Sequence, residues 1–243
     1  MNAGARVIGR SSLGLAAAAL LAGGCYEDAT VPVVQVFLVT IENVSEPGTL
    51  EVERLEGVVP LSAGVHAVFT GADPLFVVGA AADAGTERLA EDGVTSVELE
   101  LLEDAAGVIV SGEFGAPGGT DETAAIHPGE IATFAVTATP GERLQIELMF
   151  VQSNDWFYAF GAGGVALFDD DGPIDGELTG RLVLYDAGTE ADTAPGTGPD
   201  QKPAQEPGAI DVGPPDPIPM IRPASGFPIP ATNLVIRVNI TPL

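Results

Sequence analysis

The sequence is short of bases, of cysteine and of long apolar runs. Nine lysines and arginines stand against 35 aspartates and glutamates, and Lys202 is the single lysine. A net charge of −26 repels phosphate backbones and anionic lipid headgroups, so nucleic acid and direct binding to an anionic membrane are poor candidates as partners. Cations remain as the natural small partners, although acidity of this degree also serves simply to keep a protein soluble. The lone cysteine, Cys25, leaves no disulfide to be made within the chain. Its longest small-residue apolar run, Ser11 to Ala22, falls short of the roughly 20 residues needed to span a bilayer. Catalytic signatures are missing too: there is no Gly-x-Ser-x-Gly elbow, no phosphate-cradling glycine loop and no His-Glu-x-x-His segment. The two histidines, His66 and His127, lie near neither each other nor the cysteine, which argues against zinc.

What is present begins with an export signal over residues 1–24. Arg6 and Arg10 supply positive charge, the run to Ala22 follows, and Leu21-Ala22-Gly23-Gly24-Cys25 closes it. This resembles a bacterial lipoprotein signal, in which the cysteine becomes the lipidated first residue, although Ala22 stands where such signals more often carry Leu. An ordinary secretory signal with an incidental cysteine is the alternative. On the lipoprotein reading, Cys25 to Thr30 is a tether and residues 31–243 form one all-β domain, long enough to bury a core without disulfides.

Val31 to Asn43 alternates as a long strand, with Gln35, Phe37, Val39 and Ile41 on one face and Val34, Val36, Leu38, Thr40 and Glu42 on the other. Both faces are largely apolar, which predicts a central strand. Val65–Thr70 and Leu75–Val78 read as short strands. Ala80–Asp92 reads as a helix closed by Gly93. Val94–Glu103 fits either a strand or a helix, and the helix is preferred. Ile131–Ala138 and Arg143–Gln152 alternate around Thr139-Pro140-Gly141-Glu142, a hairpin signal. Beyond it, Trp156, Tyr158 and Phe160 share one side of a continuing strand. Asp169-Asp170-Asp171-Gly172-Pro173 is turn chemistry without the spacing of an EF-hand. Thr193–Asn233 holds eleven of the 20 prolines, yet a good strand follows at Leu234–Ile240. The segment is therefore read as a proline-stiffened surface excursion rather than a linker.

Chemistry concentrates in two stretches, Gln152-Ser153-Asn154-Asp155-Trp156-Phe157-Tyr158 and Tyr185-Asp186-Ala187-Gly188-Thr189-Glu190. They set Asp155, Asp186 and Glu190 in polar turns beside apolar strands, the arrangement that holds a hard cation wanting six to eight oxygen ligands. Gly188 allows the sharp bend that lets two acids four residues apart converge. Three carboxylates left together without a cation would raise one another's pKa values. Trp156 and Phe157 read as core anchors.

These two stretches, together with Ile41-Glu42-Asn43-Val44-Ser45 and Glu87-Arg88-Leu89-Ala90-Glu91-Asp92-Gly93, resemble the spondin N-terminal domain, a module of F-spondin and of many bacterial secreted proteins. The resemblance implies an antiparallel, C2-like β-sandwich with one or two short helices, binding one Ca²⁺ at one end. It implies Asp155, Asp186 and Glu190 as the ligands, with Tyr185 where tryptophan is common and Glu190 in place of aspartate. Calcium would tie the Asn154–Trp156 turn to the Asp186–Glu190 turn. The function so implied is a calcium-binding adhesion or interaction module on a bacterial cell envelope, held to the membrane only through the lipid on Cys25, with a protein or glycan partner. A structural envelope lipoprotein that uses calcium only for stability is the first rival. The second is a carbohydrate-active enzyme using Asp155 and Asp186, which lacks an exposed aromatic platform.

Overall fold

In the computed structural model, residues 33–117 and 124–243 are described. The predicted signal peptide, Cys25 and the tether lie outside them. Nine strands carry the sandwich: β1 (Gln35–Asn43), β2 (Leu61–Phe69), β3 (Val108–Phe114), β4 (Ile131–Ala138), β5 (Arg143–Phe150), β6 (Trp156–Phe160), β11 (Leu182–Asp186), β12 (Arg222–Pro223) and β13 (Ile236–Pro242). Short strands β7 (Val165–Ala166), β8 (Phe168–Asp169), β9 (Gly172–Pro173) and β10 (Gly176–Glu177) lie between β6 and β11. Helices α1 (Ala84–Asp92) and α2 (Ser96–Glu103) lie between β2 and β3. One sheet runs β10-β13-β1-β4 and the other β12-β11-β6-β5-β2-β3, with β7 beside β5 and β8-β9 a separate hairpin. Every ladder is antiparallel. The fold is an all-β sandwich with two short helices.

Alternation places the core. Phe37, Val39 and Ile41 of β1 meet Leu144, Ile146, Leu148 and Phe150 of β5 and Trp156, Tyr158 and Phe160 of β6 between the sheets. The expected central position of β1 holds, since it lies between β13 and β4, but only one of its faces is fully buried and Val36 on the other is 39% exposed. The larger sheet is covered on both sides. Its outer face packs Val65, Ala67, Phe157, Ala159 and Tyr185 against Leu75, Phe76, Leu89, Ala90 and Leu102 from α1, α2 and the preceding loop. That second layer explains why β2, β5 and β6 are buried almost without alternation.

Helix α1 begins later than the composition predicts because Asp83 caps it, accepting from the N–H groups of Gly85 and Thr86 at 3.0 Å each. Gly93 ends it at φ 70°. The ambiguous segment that follows is helical, as α2. Three expectations fail. Strand β5 does not continue beyond Phe150: residues 151–155 turn, and β6 folds back antiparallel on β5, although Trp156, Tyr158 and Phe160 do share one side. Leu75–Val78 is not a strand: Asp73 accepts from the Leu75 N–H at 3.1 Å and turns the chain, burying Leu75 and Phe76 while Val77 stays exposed. Strands β4 and β5 are not a hairpin either. β4 pairs with β1 and β5 with β2 and β6, so the Thr139–Glu142 turn crosses from one sheet to the other. The proline-rich excursion ends as expected in a strand, β13, which pairs with β1.

Candidate metal centre

Asp155 and Asp186 come together through strand pairing. Asp155 immediately precedes β6, Asp186 ends β11, and Asp186 lies opposite Trp156 in the ladder. Before β6 the chain is fixed locally: the Ser153 hydroxyl donates to the Phe150 carbonyl at 2.6 Å and accepts from the Trp156 N–H at 2.9 Å. After β11, Asp186 Oδ1 accepts from the Gly188 N–H at 2.7 Å. Gly188 sits at φ 71° with Met220 backbone 2.6 Å from where a Cβ would be, so the bend requires glycine. Asp155 then ties the second turn to the first. Its Oδ2 accepts from the N–H groups of Thr189 (2.7 Å) and Glu190 (3.0 Å) and from the Thr189 hydroxyl (3.1 Å). The link between the two turns that the sequence assigns to an ion is thus already made by one carboxylate.

Sequence reasoning missed the other members. Asp192 follows the second turn, and Asp216 arrives from the proline-rich excursion, where the Asp216 N–H donates to Thr189 O at 3.0 Å. Arg222, on β12 beside β11, reaches Asp186 Oδ2 at 2.5 Å and Asp216 Oδ2 at 2.7 Å. One carboxylate oxygen from each of Asp186, Asp192 and Asp216 lies within 4.8 Å of the other two. Asp155 and Glu190 do not join Asp186 in such a group; the predicted trio shares one end of the sandwich rather than one point. Asn154 spans the gap, its Nδ2 donating to Glu190 Oε2 at 3.3 Å and its Oδ1 accepting from the Thr193 N–H and hydroxyl at 3.0 and 2.7 Å.

The region carries more negative charge than its protein partners absorb. Asp155, Asp186, Glu190, Asp192 and Asp216 face one arginine, and Asp155 Oδ1, Glu190 Oε1 and Asp192 Oδ1 are buried without a hydrogen-bond partner. Burial, then the neighbouring Asp186, raises Asp155 to about 6 against its three hydrogen bonds. Burial, then Asp192, raises Asp186 to about 7, with Arg222 opposing. Glu190 is raised to about 7 by burial and by Asp155, with Asn154 opposing. Asp192 is raised to about 6, first by burial and then by Asp155. The Trp156 indole lies beside Asp192 without a well-formed hydrogen bond. No protein-family model and no curated protein matches this chain.

The donors are all oxygens and three of them are buried and unpartnered, a set that could hold a hard metal ion. Arg222 already supplies one positive charge. Elsewhere the sequence reading of the other polar motifs agrees with the geometry: Asp169 Oδ1 accepts from the Asp171 N–H at 2.9 Å in an exposed β8–β9 turn. His66 is stacked on Phe134 with ring centroids 4.2 Å apart. Among the described residues, the groups able to hold a metal contain no histidine. No described helix is long and apolar enough to cross a membrane.

Proposed function

We propose that this chain is a calcium-binding β-sandwich that serves as an interaction module on a bacterial cell envelope, anchored through a lipid on Cys25. One observation carries the cation: Asp155 is wholly buried, and its Oδ1 has no partner although Glu190 and Asp192 beside it also hold free oxygens. An isolated buried carboxylate oxygen costs several kcal/mol unless a proton or a cation satisfies it. Asp186, Asp192 and Asp216 would hold the ion, one carboxylate oxygen of each lying within 4.8 Å of the other two, with the free oxygens of Asp155 and Glu190 at the same end of the sandwich available to complete its shell. The longer reach of Glu190 suits the flexible shell of Ca²⁺ better than octahedral Mg²⁺. Envelope location and a protein or glycan partner rest on the signal-like residues 1–25 and on the resemblance to spondin domains.

A second reading has its own observation. Arg222 bridges Asp186 and Asp216, and Asp155 fastens the two turns without help, so the site can be a purely structural acid–arginine network. Terbium luminescence separates the two. Trp156 is the only tryptophan and lies beside the site, so Tb³⁺ bound there emits on indole excitation. Emission is expected to be displaced by Ca²⁺ and not by Mg²⁺, to be lost in Asp155→Asn and Asp186→Asn, and to persist in Asp170→Asn. Equal behaviour of all three variants, or no sensitised emission, assigns the network a structural role.

A further inference from the structure

We propose that Glu87, Glu91 and Asp211 form a second divalent-cation site that takes a hard ion such as Ca²⁺ and pins the proline-rich excursion to helix α1. Glu87 and Glu91 stand one turn apart on the same face of the helix, and Asp211 is brought over them by the chain between β11 and β12. One carboxylate oxygen of each lies within 4.8 Å of the other two. Two oxygens bound to one Ca²⁺ at its usual contact distance are separated by at most about 5 Å, so one ion can meet all three after small adjustments of the side chains. Burial is graded across the site: Glu91 is 2% exposed, Glu87 half-buried and Asp211 exposed. Water can complete the shell from the open side.

The second observation is Glu91 itself, whose buried Oε2 has no hydrogen-bond partner. Basic side chains close by are engaged elsewhere. Arg88 pairs with Asp92, and Lys202 is held by Asp92 Oδ1 and by the Ala209 carbonyl at 2.7 Å each. Among the described residues, no lysine or arginine forms an ion pair with Glu87, Glu91 or Asp211. Like charges one helical turn apart repel, and here the fold adds a third. A cation turns that repulsion into a bond between α1 and the excursion, which Lys202 already staples to Asp92 a few residues away.

This site shares no ligand with the Asp155 cluster, although Glu91 borders it through Thr189 and the charges of Glu190 and Asp155, and it goes beyond the function proposed for that cluster. Equilibrium dialysis of the full chain against Ca²⁺ and amide hydrogen exchange of residues 205–213 test it together. The intact chain is expected to bind about two ions and to exchange more slowly in that segment when calcium is present. The double variant Glu87→Gln/Asp211→Asn is expected to bind one ion fewer and to lose the calcium-dependent slowing, whereas Asp155→Asn keeps the slowing. A double variant that binds as many ions as the intact chain overturns the proposal, as does calcium-independent exchange of 205–213 in the intact chain. Failure of the Asp155 reading alone looks different: Asp155→Asn then keeps its full ion count while the double variant loses one.

Discussion

Glu98 and Glu147 make the stability of this protein depend on pH in an unusual direction. Glu147 lies on β5 under the helices and Glu98 on α2 above it; both are fully buried and all four carboxylate oxygens lack a hydrogen-bond partner. Burial, then Asp83 and Asp73, raises Glu98 from 4.5 to about 8. Burial, then Glu98, raises Glu147 well above its ordinary value. The folded state therefore holds these protons at pH values where the unfolded chain has released them. Their contribution is complete below pH 4.5 and is lost as pH climbs through the folded value of about 8. At about 1.4 kcal/mol per pH unit, Glu98 alone accounts for a fall of at most on the order of 5 kcal/mol over that range. This is a large part of the total for a domain with a stability of about 5–15 kcal/mol. Glu98→Gln removes the ionisation. The amide's N–H groups need acceptors and its carbonyl a donor, which costs about 1–3 kcal/mol at every pH, so the readout is slope rather than absolute stability. Urea unfolding with chelator present, from pH 4.5 to 9, is expected to give a stability that falls more gently with pH in the variant. Parallel slopes for variant and parent would refute the reasoning.

Two further outcomes follow from the same physics. His66 is held neutral by burial, down to about 4 from 6.5, so its contribution is present above pH 6.5 and lost as pH falls to about 4. The stability difference between parent and His66→Gln is expected to shrink by about 3 kcal/mol across that window, measured by urea unfolding at each pH. Gly188→Ala places a Cβ 2.6 Å from the Met220 backbone at φ 71°, and is expected to cost roughly 1–3 kcal/mol and to abolish sensitised terbium emission, because the turn that positions Thr189 and Glu190 against Asp155 cannot form unchanged.

Local chemistry was readable from the sequence and long-range assembly was not. The alternation of Phe37, Val39 and Ile41, the stop of α1 at Gly93, and the polar turns around Asp155 and Gly188 depend on neighbours within a few residues, and each stands where the pattern puts it. The supposed β4–β5 hairpin failed because a Pro-Gly turn fixes a change of direction and leaves the pairing partner open. Asp216 and Arg222 carried no signal at all. They reach Asp186 only because the proline-rich excursion folds back beside β11, and no motif in that segment marks it. Asp192, two residues past Glu190, was within view of the acidic turn, but nothing in the spacing distinguishes it from a solvated aspartate.

The pairing of β1 with β13 has a consequence for how the protein is made. Gln35 Nε2 donates to the Leu243 carbonyl at 2.7 Å across a separation of 208 residues, and the intervening strands β4 and β10 join the same sheet only at its two edges. Closing such a distant ladder is slow, since the chain loses its loop entropy before the contacts repay it. While a ribosome is still adding residues 236–242, Phe37, Val39 and Ile41 have one neighbour strand and no second. Until those residues are made, β1 lacks its pairing partner along one side, so the sheet closes late in synthesis and its apolar residues stay open to other contacts until then.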